Sequence, residues 1–249
     1  MPEVIQGSGL RLVLVQGLPS PWGQAAKTLF EIKGLNYVVA PWRVGEVNQA
    51  LVDWSHTQSA PIVVWNDEPP ISRWFDILFL AERLTPTPAL IPSDPKQRVL
   101  MFGLAHEICG ELGIGWNRRL QMFAPALDSG QAPAGFVLMG QKYRYNREDA
   151  QRAGERTALQ LTLLADQLQS QYARGVKYFV GETLTALDIY WVAFANMIDP
   201  LPAAQCPIPD NFRPLLVATD PVVKAAIAPI LIEHRDKILR ECFRNPMEL

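Results

Sequence analysis

The residues of this chain best placed for chemistry are Ser20 and Pro21. Before them, Leu12-Val13-Leu14-Val15 is an apolar, partly β-branched run that reads as a buried strand. Gln16-Gly17-Leu18-Pro19 is a loop signal. Ser20 followed by Pro21 is a helix start, with a hydroxyl at the N-cap and proline at the first helical position. Ala25, Ala26, Leu29, Phe30 and Ile32 then recur at helical spacing, and Gly34 supplies the left-handed residue that ends the helix. Ser20 therefore belongs where a strand hands over to a helix, at the positive end of the helix dipole. A hydroxyl there has two uses. It can cap the helix, which is the commoner role of a serine before proline, or it can donate to an anion or a thiolate held at the corner.

Other chemistries find less support. Cys109, Cys206 and Cys242 are far apart and show no metal-ligand spacing, so they read as inert apolar residues, and no metal is expected. None of them stands at the corner, as a disulfide reductase would require. His56, His106 and His234 show no triad spacing and there is no Gly-x-Ser-x-Gly elbow, which argues against a serine hydrolase. His106, at helical spacing from Phe102 and Cys109, is expected in the core or at an interface.

The elements that must position the corner fall into two groups. Tyr37-Val38-Val39-Ala40 is a second strand, Val47 to Trp54 carries one or two helical turns, and Ile62-Val63-Val64-Trp65 is a third strand opened by Pro61. Pro69-Pro70-Ile71 is a short extended piece, and Trp74, Ile77, Leu78, Ala81 and Leu84 keep a helical period. Alternation of this kind predicts an α/β layer. Thr85 to Pro92 holds three prolines and reads as a linker. Beyond it the periodicity predicts only helices: one opened by Asp94-Pro95 and running to about Gln121, one over Arg147 to Ala173, an apolar one over Thr185 to Met197, and a last one over Pro221 to Arg244, kinked at Pro229. Ala124 to Tyr145, rich in glycine and proline, reads as a long loop, either functional or disordered.

With 249 residues, 49% of them hydrophobic and 19% charged, the chain is long enough for one or two domains with a substantial core. A formal net charge of -2 leaves no basic footprint for nucleic acid. No apolar run approaches the roughly 20 residues of a membrane span. Met1-Pro2-Glu3-Val4 lacks the features of a signal peptide, so a cytoplasmic location is expected.

At three places the chain resembles the glutathione transferase superfamily. Ser20-Pro21-Trp22-Gly23, with Gly34 fourteen residues after Ser20, is similar to the active-site corner of its serine-type members. Ser59-Ala60-Pro61-Ile62-Val63-Val64 is similar to the strand that begins with a cis-proline. Gly181 to Tyr190 matches the buried capping box Thr-x-x-Asp, with Thr185 as cap and Asp188 reaching back to the first N–H. The resemblance covers nearly the whole chain and implies a thioredoxin-like α/β domain over 1–84, a linker over 85–93 and an all-α helical bundle over 94–249. It also implies a homodimer, with glutathione as cosubstrate and a small hydrophobic electrophile as its partner.

The implied roles are specific. Ser20 is the hydroxyl donor to the glutathione thiolate. Ala60, ahead of cis-Pro61, offers backbone N–H and C=O to the cysteine of glutathione. Arg73 and Trp74 stand where the family has an acidic residue or glutamine followed by serine, the groups that hold the γ-glutamyl end. Arg73 can take the carboxylate in a bidentate pair, but it does nothing for the ammonium. Ser55-His56 replaces the usual asparagine-proline. Trp22, and Tyr143 as a polar handle in the 124–145 loop, are expected in the electrophile pocket, with Trp116 and Arg119 at the same end. A free thiol titrates near pH 8.5, and lowering it by about two units takes roughly 2.7 kcal/mol, within reach of one hydroxyl and a helix N-terminus. The competing class is a non-catalytic member of the same fold, kept as a binding or scaffolding module, and the Arg73-Trp74 replacement favours it.

Overall fold

A computed structural model describes residues 2–44 and 46–248; Met1, Gly45 and Leu249 lie outside the described residues. The chain opens with helix α1 (Pro2–Gln6), strand β1 (Leu10–Val15), helix α2 (Pro21–Ile32), strand β2 (Val38–Trp42), helix α3 (Gln49–Ser55), strand β3 (Ile62–Trp65) and helix α4 (Trp74–Leu84). The strands form one mixed sheet in the order β2-β1-β3, with β1 parallel to β2 and antiparallel to β3. The expected extended piece before α4 pairs only at Ile71 with Val63, because Pro69 and Pro70 cannot donate to a ladder.

β1 shows why the layer is two-faced. Leu10 and Leu12 point to the side covered by Ala25, Leu29 and Phe30 of α2 and by Ile77 and Leu78 of α4. Val13 points to the other side, packed with Val4 and Leu51. Arg11 shares that second face. It is buried, and its guanidinium lies 5.8 Å from the Trp54 ring centroid and donates to the carbonyls of Val4 and Asn66. Nothing in the opening residues announces α1; the buried Arg11 supplies its partner from β1.

After the extended segment that follows α4, every element is helical. The series runs α5 (Pro95–Cys109), α6 (Ile114–Asp128), α7 (Ala134–Lys142), α8 (Arg147–Ala173), α9 (Ala186–Ala195), α10 (Arg213–Leu216), α11 (Pro221–Ala225) and α12 (Pro229–Cys242). Three expectations are corrected here. The single helix expected up to Gln121 is two, broken at Gly110 to Gly113. Leu112 adopts a positive φ of 60°, and a Cβ on Gly110 would stand 2.4 Å from the His106 ring. The turn is held by Asn117 and Gln160, whose side-chain amides donate to the Leu112 carbonyl at 2.6 and 2.9 Å. The long loop expected over 124–145 is mostly helix, since α6 continues through Pro125 and α7 fills 134–142. The last helix starts at Pro229, so this proline sits at a helix beginning, where its missing N–H is not needed.

The centre of the bundle is α9, buried on every side and packed against α2, α5 and α12. Its start is the capping box. The Asp188 carboxylate accepts from the Thr185 N–H (2.9 Å), the Thr185 hydroxyl (3.0 Å) and the Phe179 N–H (3.1 Å). His234 of α12 approaches it with Nε2 at 2.8 Å. With three other donors already on the carboxylate, Nε2 is a donor too, and the Tyr172 hydroxyl faces the remaining ring nitrogen at 3.4 Å. Both Asp188 and His234 are wholly buried. Removing the carboxylate strands four donors in a dry interior. Asp188→Ala is therefore expected to destabilise the fold by about 3–5 kcal/mol in urea denaturation, with circular dichroism as the readout.

Candidate active site

Pro21 is the first residue of α2 and Ser20 is its N-cap, in extended conformation (φ -61°, ψ 115°). The Ser20 carbonyl accepts from the Gln24 N–H at 2.8 Å. Its hydroxyl makes no capping hydrogen bond. A Cβ placed on Gly23 would come 3.7 Å from this Oγ, so the hydroxyl stands over the first turn of α2. The commoner role of such a serine is thus not the one it plays here.

The Ala60–Pro61 peptide bond is cis. Among the described residues the Ala60 N–H has no hydrogen-bond partner, and its carbonyl meets only the Ser59 hydroxyl, at 3.5 Å. A free N–H and a nearly free C=O on one residue can receive an extended peptide-like ligand as a short ladder.

Pro61 lines a crevice shared by the two halves of the chain. Its walls include Trp22 and Ala26 of α2, Trp74 of α4, Cys109 of α5, and Tyr190 and Phe194 of α9. The enclosed volume is about 10 Å³, room for about one water. Trp22, expected in an electrophile pocket, is a strut here. Its Nε1 donates to the Cys109 carbonyl at 3.0 Å, and its ring meets Phe194 edge-on with centroids 4.8 Å apart. Trp74 is held the same way, edge-on to Tyr190 at 5.4 Å, while the Tyr190 hydroxyl donates to the Trp74 carbonyl at 3.4 Å. Burial pushes the Cys109 thiol and the Tyr190 hydroxyl well above their ordinary values, so neither is an acid or nucleophile near neutrality.

Arg73 is the N-cap of α4 and is exposed. Its Nε pairs with Asp76 at 2.7 Å and its guanidinium lies over Phe75, 4.9 Å from the ring centroid. The i, i+3 spacing already sets Asp76 beside Arg73, so Arg73 is not a lone receptor for a carboxylate. Tyr143, the expected polar handle, is buried at the end of α7. Its ring is 6.1 Å from Trp22, 5.0 Å from Trp116 and 6.3 Å from Phe123, between centroids. Burial raises its hydroxyl pKa, against the opposing pull of Arg119. Tyr143, Trp22 and Trp116 therefore come together as one aromatic wall, and Trp22 is two residues along the chain from Ser20.

His106, expected in the core or at an interface, is exposed. It borders an open groove of about 400 Å³ between α4 and α5, with Trp74, Phe75, Phe79, Arg98 and Phe102. Phe79 and Phe102 stack at 5.5 Å, and Arg98 lies over both rings. Beside the groove Val99 is 74% exposed and Leu100 40%. α5 thus carries apolar side chains on two faces, one of them open to solvent. Among the described residues no helix is long and apolar enough to cross a membrane, and no group of three or more metal-ligating side chains converges.

No protein-family model matches the chain, and no curated protein matches it. Solved structures do. A rice glutathione transferase in complex with glutathione is 18% identical, with 96% of this chain and 93% of that one covered and a TM-score of 0.61. A glutathione S-transferase from Methylobacillus flagellatus with glutathione bound is 13% identical, covering 93% and 95%, at 0.61. A maleylacetoacetate isomerase from Methylobacterium extorquens, with malonate and glutathione bound, is 14% identical, covering 92% and 91%, at 0.59. The chain has the glutathione transferase fold: a thioredoxin-like α/β part followed by a helical part.

The crevice wall is tight enough to test. A Cβ on Gly115 would stand 2.4 Å from the Phe194 ring and 3.0 Å from that of Trp22. Gly115→Ala is expected to destabilise by about 1–3 kcal/mol in thermal or urea unfolding and to shift tryptophan emission as Trp22 loosens.

Proposed function

We propose that this protein is a glutathione-dependent transferase of the cytoplasm, with residues 1–84 binding glutathione and residues 94–249 receiving a small electrophile. The observation that carries this reading is the uncapped hydroxyl of Ser20 at the start of α2, which follows the end of β1 where Val13 pairs with Ile62, just after the unpaired Ala60 N–H and cis-Pro61. Glutathione is a peptide with a thiol at its middle residue. Its cysteine backbone pairs with Ala60, and its sulfur comes to the hydroxyl and the helix N-terminus.

The chemistry then follows. The thiol releases its proton to solvent, and the sulfur anion is held by the Ser20 hydroxyl and the positive end of α2. The sulfur electron pair forms the new bond to an electrophilic carbon. A leaving group departs with its own pair, or an activated double bond takes up a proton. Arg73, with Asp76 beside it, is the nearest candidate for the γ-glutamyl end, and the Trp74 N–H opens α4 next to it. The coverage of glutathione-bound structures over more than nine-tenths of this chain supports glutathione as the thiol.

The open face of α4 and α5 supports a homodimer. The groove at Phe79 and Phe102 and the projecting Val99, the residue after Arg98 on α5, share one side of that helix, so a two-fold axis places the projection of each copy against the groove of the other.

A second reading has its own observation. The crevice beside Pro61 is only about 10 Å³, and Arg73 and Trp74 replace the usual γ-glutamyl groups, as in a binding module that has lost the cosubstrate. Retention on immobilised glutathione with elution by free glutathione supports the transferase. Absence of retention, with no thermal shift at millimolar glutathione, supports the module.

Two outcomes test the mechanism. The thiol of bound glutathione, followed by ultraviolet thiolate absorbance, is expected to titrate about two pH units below the free thiol. In Ser20→Ala it should return toward the free value, with turnover lowered about 10²-fold; an unchanged titration in the variant rejects the role of Ser20. Val99→Lys should convert the dimer to monomer in light scattering without unfolding it.

A further inference from the structure

We infer that the second substrate carries a carboxylate, which Arg119 and Lys142 receive at the aromatic wall beside the corner. The inference rests on the reading of Ser20 as the thiol site and names the class of molecule that meets the thiol. It stands on a group of charges that the fold leaves unbalanced. Arg119 is on α6, one turn from Trp116, and its Nε is buried without a hydrogen-bond partner. One of its terminal nitrogens meets only the sulfur of Met122, at 3.7 Å. The Lys142 ammonium, at the end of α7, folds over the Tyr143 ring, 5.3 Å from its centroid.

Neither cation forms an ion pair with any carboxylate among the described residues. Lys142 is exposed as a residue, but its ammonium folds onto the Tyr143 ring, and desolvation there and then the like charge of Arg119 lower its pKa. Two neighbouring cations without a counter-ion repel each other, and an anion between them removes that repulsion. The Tyr143 hydroxyl, which accepts from Arg119, keeps its own O–H as a neutral donor.

The same wall fits the rest of such a molecule. Trp22 and Trp116 flank the Tyr143 ring and offer apolar faces to an aromatic or unsaturated body. Arg119 is half-buried and the Lys142 side chain reaches solvent, so an anion has access to both. Guanidinium matches carboxylate in a planar, two-point fit, which orients the body toward Trp22 and hence toward Ser20. Buried Arg118, the next residue, is a different case. Its guanidinium is spent on the carbonyls of Met197, Leu216 and Val217 and lies near Asp220.

The test uses cinnamate and methyl cinnamate, which share a body and differ in charge, titrated calorimetrically into the full chain. The acid is expected to bind about tenfold or more tightly than the ester. Arg119→Gln should erase that preference, Arg119→Lys should keep most of it, and Lys142→Gln should reduce it. Equal binding of acid and ester, binding of neither, or a preference that survives Arg119→Gln overturns the inference. If Arg119→Gln does not fold, the exposed Lys142→Gln decides: a reduced preference supports the site and an unchanged one rejects it. Glutathione is titrated separately. Its binding without an acid preference removes this inference alone. Its failure to bind removes the transferase reading, and an acid preference then still supports the carboxylate site itself.

Discussion

The arrangement of this molecule depends on one buried carboxylate. Asp188 gathers two N–H groups, a hydroxyl and an imidazole at the start of α9. A helix buried on every side cannot hydrate its first N–H groups, so they must be satisfied by protein. Once its start is fixed, its other residues are placed by the helical repeat. Trp191 donates to the Leu231 carbonyl of α12, Tyr190 meets Trp74 and Phe194 meets Trp22. A charge far from any chemistry therefore sets the rear wall of the candidate active site.

The corner itself is organised by contrast. Around Pro61 the aromatic side chains interlock and leave almost no space, while among the described residues the Ala60 N–H has no partner and the Ser20 hydroxyl caps nothing. Close packing fixes the backbone that presents these groups, and unspent hydrogen-bonding capacity is what a ligand uses. The same contrast returns at Arg119, whose neighbours are rings and another cation, whereas Arg118 beside it is satisfied by carbonyls.

Local signals were legible wherever short-range chemistry decides. Ser20-Pro21 and Asp94-Pro95 mark two helix starts that the structure places at those residues, and α8 fills the whole range its periodicity predicts. The breaks were harder. Apolar spacing continues across Gly110 to Gly113, so periodicity does not show the turn. Its cause is non-local, since Gln160 of α8 grips the Leu112 carbonyl and the His106 ring fills the space beside Gly110. Pro125 misled in the other direction, because proline is tolerated late in α6 where packing on α8 holds the helix.

By itself the sequence determined the alternation of strands and helices from Leu12 to Leu84, the strand-to-helix corner that carries Ser20 and the capping box, because each is written in neighbouring residues. Only the tertiary structure decided what the side chains at those places face. It made struts as well of Trp22, expected in the electrophile pocket, and of Trp74, expected at the γ-glutamyl site, left the Ser20 hydroxyl uncapped, and brought α6 and α7 together so that Arg119 and Lys142 both meet Tyr143. Spacing along the chain fixes direction only relative to the local backbone. Which groups meet, and which remain without a partner, follows from how distant elements pack.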